Sequence, residues 1–301
     1  MYKFIPLLTA LITLLSANCD AAEKSASSSS KPEIMAVRYS EPMDGNDDAR
    51  FGYIFALIHR SLEITRPEFG NYVIEPYRTE LSTQRHAVVL TEGTALNLAW
   101  ASPGTVVAKS DAIPIKIDIL QGLLGYRVCL YNSTSSLKLD QIKSLDDLNN
   151  VKMGQGINWA DNLIYDHNKI PLVEAPTFES LFRMLALNRF DCLPLGVNEV
   201  KHVFLDKKDA YPFLALDDKL LIYYRFPIYF HVSKKTPELA KRIEMGLKKM
   251  QKSGEFDRLF TAHHAKNLAS LNLKNRKIIC LESPYVADKN QCAKAITIPN
   301  L

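Results

Sequence analysis

The stretch Val151-Lys-Met-Gly-Gln-Gly156, followed by Thr177-Phe-Glu-Ser-Leu-Phe-Arg-Met-Leu185 and Phe190-Asp-Cys-Leu193, decides the fold. Val151–Met153 is a short strand that runs into a glycine-rich turn, Gly154-Gln-Gly156. Thr177 can cap a helix whose apolar positions Phe178, Leu181, Phe182 and Leu185 form one stripe. Phe190–Leu193 is the next strand. Strand, helix and strand in alternation predict an α/β fold with a largely parallel sheet.

The same alternation extends outward in both directions. Upstream, Ile34–Val37 reads as a strand, Ser40–Asp48 as a loop, and Phe51, Ile54, Phe55, Ile58 and Leu62 as one helix face. Tyr72–Tyr77 and Leu96–Trp100 are further strands, the second ended by Ser102-Pro-Gly104. A second unit begins near Tyr126, with a strand at Arg127–Tyr131 and a capping box at Ser144-Leu-Asp-Asp147. Downstream, Leu220–Tyr224 is a strand, and Pro237 opens a helix with Leu239, Ile243, Leu247 and Met250 on one face. Gly254 ends that helix, and Phe256, Leu259 and Phe260 add a last apolar turn. Two α/β units of similar size without a flexible linker predict two lobes around a shared cleft.

Length and composition bound the function. The chain has 301 residues, 47% hydrophobic and 23% charged, with a net charge of +4. Its basic and acidic residues are interspersed, which argues against a nucleic-acid binder driven by phosphate neutralisation. The seven histidines and five cysteines fall in no metal-ligand spacing, and no cofactor is expected. Met1–Ala22 has Lys3, the apolar run Phe4–Leu15 and a small-residue exit, the form of a secretory signal. Residues 23–33 are a Ser-rich linker. Export to the periplasm is the expectation. Lipidation at Cys19 is the lesser alternative, because Ser16-Ala-Asn18 departs from the usual Leu-small-small pattern. Export makes Cys129, Cys192, Cys280 and Cys292 disulfide candidates with three possible pairings. Cys280 and Cys292 are close enough in sequence to close a small loop, and four buried thiols is the other reading.

The order of elements resembles the periplasmic solute-binding proteins of family 3, the amino-acid-type, type 2 fold. Ser144-Leu-Asp-Asp-Leu148, Gly154-Gln-Gly156, Glu179–Leu185 leading to Arg189-Phe-Asp191, and Leu239-Ala through Lys252-Ser-Gly-Glu-Phe256 carry the likeness. A subset of unassigned ligand is closer. It has a Gly-Leu-x-Gly-Tyr-Arg crossing, here Gly122–Arg127, and a Gly-Gln-Gly…Trp-x-Asp turn, here Gly154–Asp161. The resemblance implies that lobe 2 (127–228) is inserted in lobe 1 (34–126 and 229–265), with 266–301 left as a C-terminal tail. It also implies an aromatic in the first loop, a Thr-x-x-Arg grip and an acid in lobe 2. This chain offers Tyr39 and Glu41 in the first loop, and Lys109 near the expected arginine. Asn198 and Glu199 stand near the expected acid.

Each candidate has a plainer reading beside the functional one. Gln155, Trp159 and Asp161 belong to a strand-to-helix turn whose backbone N–H groups suit an anion, or else form a packed turn with Asp161 as a helix cap. Trp100 ends a strand and faces either cleft or core. Lys109 is a ligand cation or a solvated surface charge. Asn198 and Glu199 contact ligand or cap a helix. His263-His264 reads as a solvated pair past the last helix. The expected function is capture of a small polar solute, amino-acid-like or a small carboxylate, for a transporter permease or a sensor. The partner protein is expected to meet a monomer, with no chemistry performed. The alternatives are a small lyase or dehydratase on the same fold, using Glu41, Lys109 and Glu199, or a non-binding envelope scaffold.

Overall fold

The structure is a computed structural model that describes residues 34–41, 49–79, 81–136, 139–287 and 290–294. The signal, the linker and Cys19 lie outside them. The first lobe starts with β1 (Met35–Val37), α1 (Ala49–Glu63), α2 (Arg66–Phe69), β2 (Tyr72–Ile74), α3 (Thr83–Glu92), β3 (Leu98–Ala101) and β4 (Ala112–Ile115). The second carries β5 (Tyr126–Asn132), α4 (Leu145–Leu148), β6 (Met153–Gly156), α5 (Asn162–His167), β7 (Leu172–Ala175), α6 (Phe178–Ala186), β8 (Leu193–Gly196), α7 (Val200–Lys207), β9 (Leu214–Leu216) and β10 (Leu220–Tyr223). The chain then returns through β11 (Tyr229–Ser233), α8 (Pro237–Ser253) and α9 (Glu255–Ala269), and ends with β12 (Lys277–Cys280).

In lobe 1, β11 lies between β3 and β4, while β1 pairs in parallel with β2. Buried Asn97 splices the two pieces: its side chain accepts the Arg38 N–H at 2.8 Å and donates to the Ala36 carbonyl at 2.8 Å. In lobe 2 the order is β12-β10-β5-β8, with β6-β7 joined through the bridge between Met153 and Cys192. Residues 116–125 and 224–228 connect the two sheets. The Asp118 carboxylate ties these connections together by accepting N–H groups from Leu120, Gly122 and Ile228 at 3.1, 2.8 and 3.2 Å.

Four local expectations need correction. Gly154-Gln-Gly156 is not a turn but the strand β6 itself, fully paired with β7 and buried. The lack of side chains there lets the Phe190 ring occupy the space a Cβ on Gly154 would take, 2.3 Å from its ring atoms. The strand expected at Phe190–Leu193 is shifted to Leu193–Gly196, where the chain pairs with β5; Asp191 and Cys192 before it donate their N–H groups to the Lys152 carbonyl, and the Asp191 carboxylate accepts the Lys152 N–H at 2.8 Å. The last apolar turn is the long helix α9, since Gly254 at φ 71° reverses the chain and restarts it as a helix. Within the stretch expected as a tail, the described residues 266–287 and 290–294 are structured. They complete α9 and add β12 beside β10, pinned by the Arg276–Asp217 ion pair at 3.2 Å with both side chains 2% exposed. The cysteines form Cys129–Cys192 and Cys280–Cys292.

His264 is likewise not solvated. It sits within α9, 8% exposed, with its ring 4.8 Å from those of Tyr53 and Phe260. Burial, helped by His263 beside it, brings the imidazole down to about 4. The neutral ring is therefore the folded form, while the unfolded chain takes up a proton near pH 6.5. This part of the stability is complete above pH 6.5 and is lost as pH falls toward 4, by up to about 3 kcal/mol. Burial lowers His86 and His231 in the same sense. Urea midpoints between pH 7 and pH 4.5 should show a smaller acid loss in His264→Leu than in the unaltered chain; equal losses would remove His264 from the account.

Candidate functional site

A cleft of about 430 Å³ lies between the two sheets, lined on one side by Thr83, Ser102 and Thr105 and on the other by residues of lobe 2. Its chemical centre is Arg127, the second residue of β5, paired in register with Gly196 of β8 and Ile222 of β10. A cation in the middle of a sheet must be compensated, because an unpaired buried charge is very costly. Two carboxylates and two rings supply the compensation, while the buried Nε of Arg127 has no hydrogen-bond partner. The guanidinium, 6% exposed, meets Asp161 Oδ2 at 3.2 Å and Glu199 Oε1 at 4.0 Å. The Tyr224 and Phe226 rings flank it at 5.4 and 5.9 Å. Burial works against its charge, but Tyr224, Asp161, Tyr165 and Glu199 outweigh that and raise its pKa, so Arg127 stays protonated.

The network continues behind the guanidinium. Tyr224 donates its hydroxyl to Asp161 Oδ2 at 2.8 Å, and the Tyr165 hydroxyl lies 3.4 Å from that of Tyr224. Burial raises both phenols, so they remain neutral donors. Asp161 is thus spent on Arg127 and Tyr224 and makes no side-chain cap to α5. Glu199 differs. It is a quarter exposed, its contact with Arg127 is longer than a hydrogen bond, and it accepts the Gly196 N–H at 3.3 Å.

The remaining walls are apolar and polar by turns. Trp159 and Phe178 sit with ring centroids 6.3 Å apart, and Phe178 is 37% exposed. Opposite them, Thr83 is the first residue of α3, whose cap Ser82 accepts the Arg85 N–H at 3.3 Å. The positive end of this helix therefore faces the cleft. Ser102 and Thr105 shape the turn after β3, where Thr105 Oγ1 donates to the Ser102 carbonyl at 2.9 Å. One side of the cleft is thus acidic around a paired arginine, and the other offers hydroxyls and a helix N-terminus.

Of the residues expected from sequence, Trp159, Asp161 and Glu199 line this cleft together. Gln155 is fully buried in β6 behind the wall, beside Tyr165. Asn198 folds over Gly196, its Oδ1 2.4 Å from where a Cβ would stand, and is not among the lining residues. Tyr39 is 1% exposed, stacks on Phe55 at 5.2 Å and reaches His59 Nε2 at 3.2 Å. Burial, with Glu41 nearby, pushes its phenol up to about 12. Trp100 is half-buried against that cluster, 6.5 Å from Tyr39 and 6.0 Å from Phe55, and is not among the residues lining the cleft. Glu41 is engaged by Arg78 at 3.0 Å, and Lys109 is exposed on the turn after Thr105. Glu41 and Lys109 do not line the cleft with Glu199, so the acid–base set considered from sequence is not assembled. Arg127, Thr83, Phe178 and Phe226 were not anticipated as site residues. One signal was available for the first: an arginine inside the apolar run Tyr126-Arg-Val-Cys-Leu-Tyr131 needs buried partners.

No family model matches the sequence, and no curated protein matches it. Solved structures do match. An ancestral arginine-binding protein bound to glutamine shares 14% identity and a TM-score of 0.50, over 76% of this chain and 97% of its own. The GluR0 ligand-binding core in complex with L-glutamate shares 11% identity and a TM-score of 0.50, over 76% of this chain and 97% of its own. At these identities the likeness is one of fold, and with the two sheets and their paired connections it gives the conclusion: this chain has the two-lobed α/β fold of the amino-acid-type, type 2 periplasmic solute-binding proteins.

Proposed function

We propose that the chain captures a small zwitterionic, amino-acid-like solute in the cleft, without chemistry, for a transporter permease or a sensor in the cell envelope. The observation that carries this reading is the pairing of buried Arg127 with Asp161, which leaves the Glu199 carboxylate facing the cleft. The ligand ammonium belongs at Glu199, its carboxylate at the α3 N-terminus with Thr83 and Ser102, and its body against Trp159 and Phe178. Lobe closure about the connections 116–125 and 224–228 would bury the ligand. Two disulfides support an oxidising compartment, in keeping with export. Among the described residues no helix is long and apolar enough to cross a membrane.

Tryptophan fluorescence titration with the common L-amino acids and small dicarboxylates tests the proposal, since Trp159 stands in the wall. At least one zwitterion should saturate the signal. Glu199→Gln should weaken it about 10- to 100-fold, the loss of one charge-assisted hydrogen bond. A full panel without saturation, or a Glu199→Gln protein that binds as tightly, would defeat the assignment.

A further inference from the structure

The segment after β12 reaches back to the cleft. Cys280 at the end of β12 is joined to Cys292, closing a loop that carries Tyr285. That loop is anchored on lobe 2 twice over. The Asn168 side chain donates to the Glu282 carbonyl at 2.7 Å and accepts the Glu282 N–H at 3.0 Å. Inside the loop, Gln291 makes the same reciprocal pair with Ser283 at 3.0 and 3.1 Å. Tyr285 then leaves this base. Its hydroxyl donates to the Ala160 carbonyl at 2.6 Å, and its ring lies 6.1 Å from that of Phe226. Ala160 and Phe226 both line the cleft.

The tip of the same ring rests on lobe 1. Gly104, in the turn after β3, has φ 89°, and a Cβ there would fall 2.2 Å from the Tyr285 hydroxyl oxygen. Glycine at this position both allows the turn and leaves the notch that the ring fills. Tyr285 is therefore fixed on lobe 2 and seated on lobe 1, at the edge of the cleft and beside the returning connection at Phe226.

We propose that the disulfide-closed C-terminal loop is a strap, with Tyr285 as its latch, that sets how far the two lobes stand apart before any ligand arrives. Opening the cleft lifts the ring off Gly104, and removing the ring removes that restraint. The strap does not depend on which solute the cleft takes.

The test uses the full ligand-free chain with spin labels at two exposed positions, Val88→Cys in α3 and Leu187→Cys after α6, read by pulsed dipolar spectroscopy. Tyr285→Ala should lengthen and broaden the interlobe distances. Tyr285→Phe, which keeps the ring but loses the bond to Ala160, should broaden them less. Glu199→Gln should leave them unchanged, so failure of the strap and failure of the solute assignment are separable. Near-ultraviolet circular dichroism checks folding; if Tyr285→Ala is unfolded, Tyr285→Phe decides by the same criterion. Distances in the deciding variant that superpose on those of the unaltered protein would overturn the proposal.

Discussion

Arg127→Met should destabilise the protein by about 3–5 kcal/mol, the cost of leaving a buried charge without its partner. Asp161, 4% exposed as a residue, would keep only the Tyr224 hydroxyl at 2.8 Å. For a domain of this size that corresponds to a fall in Tm of roughly 10 °C. The loss is not simply that of one contact, because methionine fills most of the arginine volume and the penalty comes from the stranded carboxylate. Asp161→Asn in the Arg127→Met background should therefore recover part of the stability. Calorimetric unfolding of the two single variants and the double variant completes the cycle. Additive effects would mean that Arg127 and Asp161 do not act as a pair.

The second large effect is expected from the disulfide Cys129–Cys192, whose cysteines are 63 residues apart. Loop-closure arithmetic assigns about 4 kcal/mol to a ring of that length, against about 3 for the 12-residue separation of Cys280–Cys292. Cys129 and Cys192 are 1% and 0% exposed, so their removal also disturbs packing. Cys129 lies two residues from Arg127 on β5, and the bridge fixes this strand to the chain entering β8. The Cys129→Ala/Cys192→Ala protein should thus melt roughly 10 °C lower. The Cys280→Ser/Cys292→Ser protein should melt less far below the unaltered chain, with its greater effect on lobe spacing. A reversed order of the two losses would contradict the loop-length argument.

Much of the fold was legible because periodicity and caps are local. Ser144 and Thr177 cap their helices by side-chain bonds to the N–H groups of Asp147 and Ser180, as their sequence signatures imply. Of the stripe Phe178, Leu181, Phe182 and Leu185, the last three are fully buried, whereas Phe178 is 37% exposed and lines the cleft. The strand β6 was misread where glycines stand in for side chains, since Gly154 and Gly156 carry no alternation to read. The strand β12 was missed because its partner, β10, lies more than fifty residues earlier, and pairing at that distance leaves no local mark.

The site was less legible than the scaffold. Trp159, Asp161 and Glu199 follow strand ends, where cleft residues collect, and that positional rule places all three on the cleft. Tyr39 and Trp100 also follow or end strands but turn inward, toward Phe55 of α1. Which way a side chain turns at a strand end depends on the helix packed there, and sequence spacing does not contain it. Lys109 stands near the family's arginine position, whereas the buried cation that lines the cleft is Arg127 on β5, visible in the sequence only as a charge out of place in an apolar run.

A crystal structure of the protein with the tightest-binding amino acid from the fluorescence panel decides where the solute sits. The ligand ammonium should lie within hydrogen-bond reach of Glu199, its carboxylate near Thr83 and Ser102, and its side chain along Trp159 and Phe178. A ligand bound outside this cleft, or one seated in it without contact to Glu199, would contradict the account.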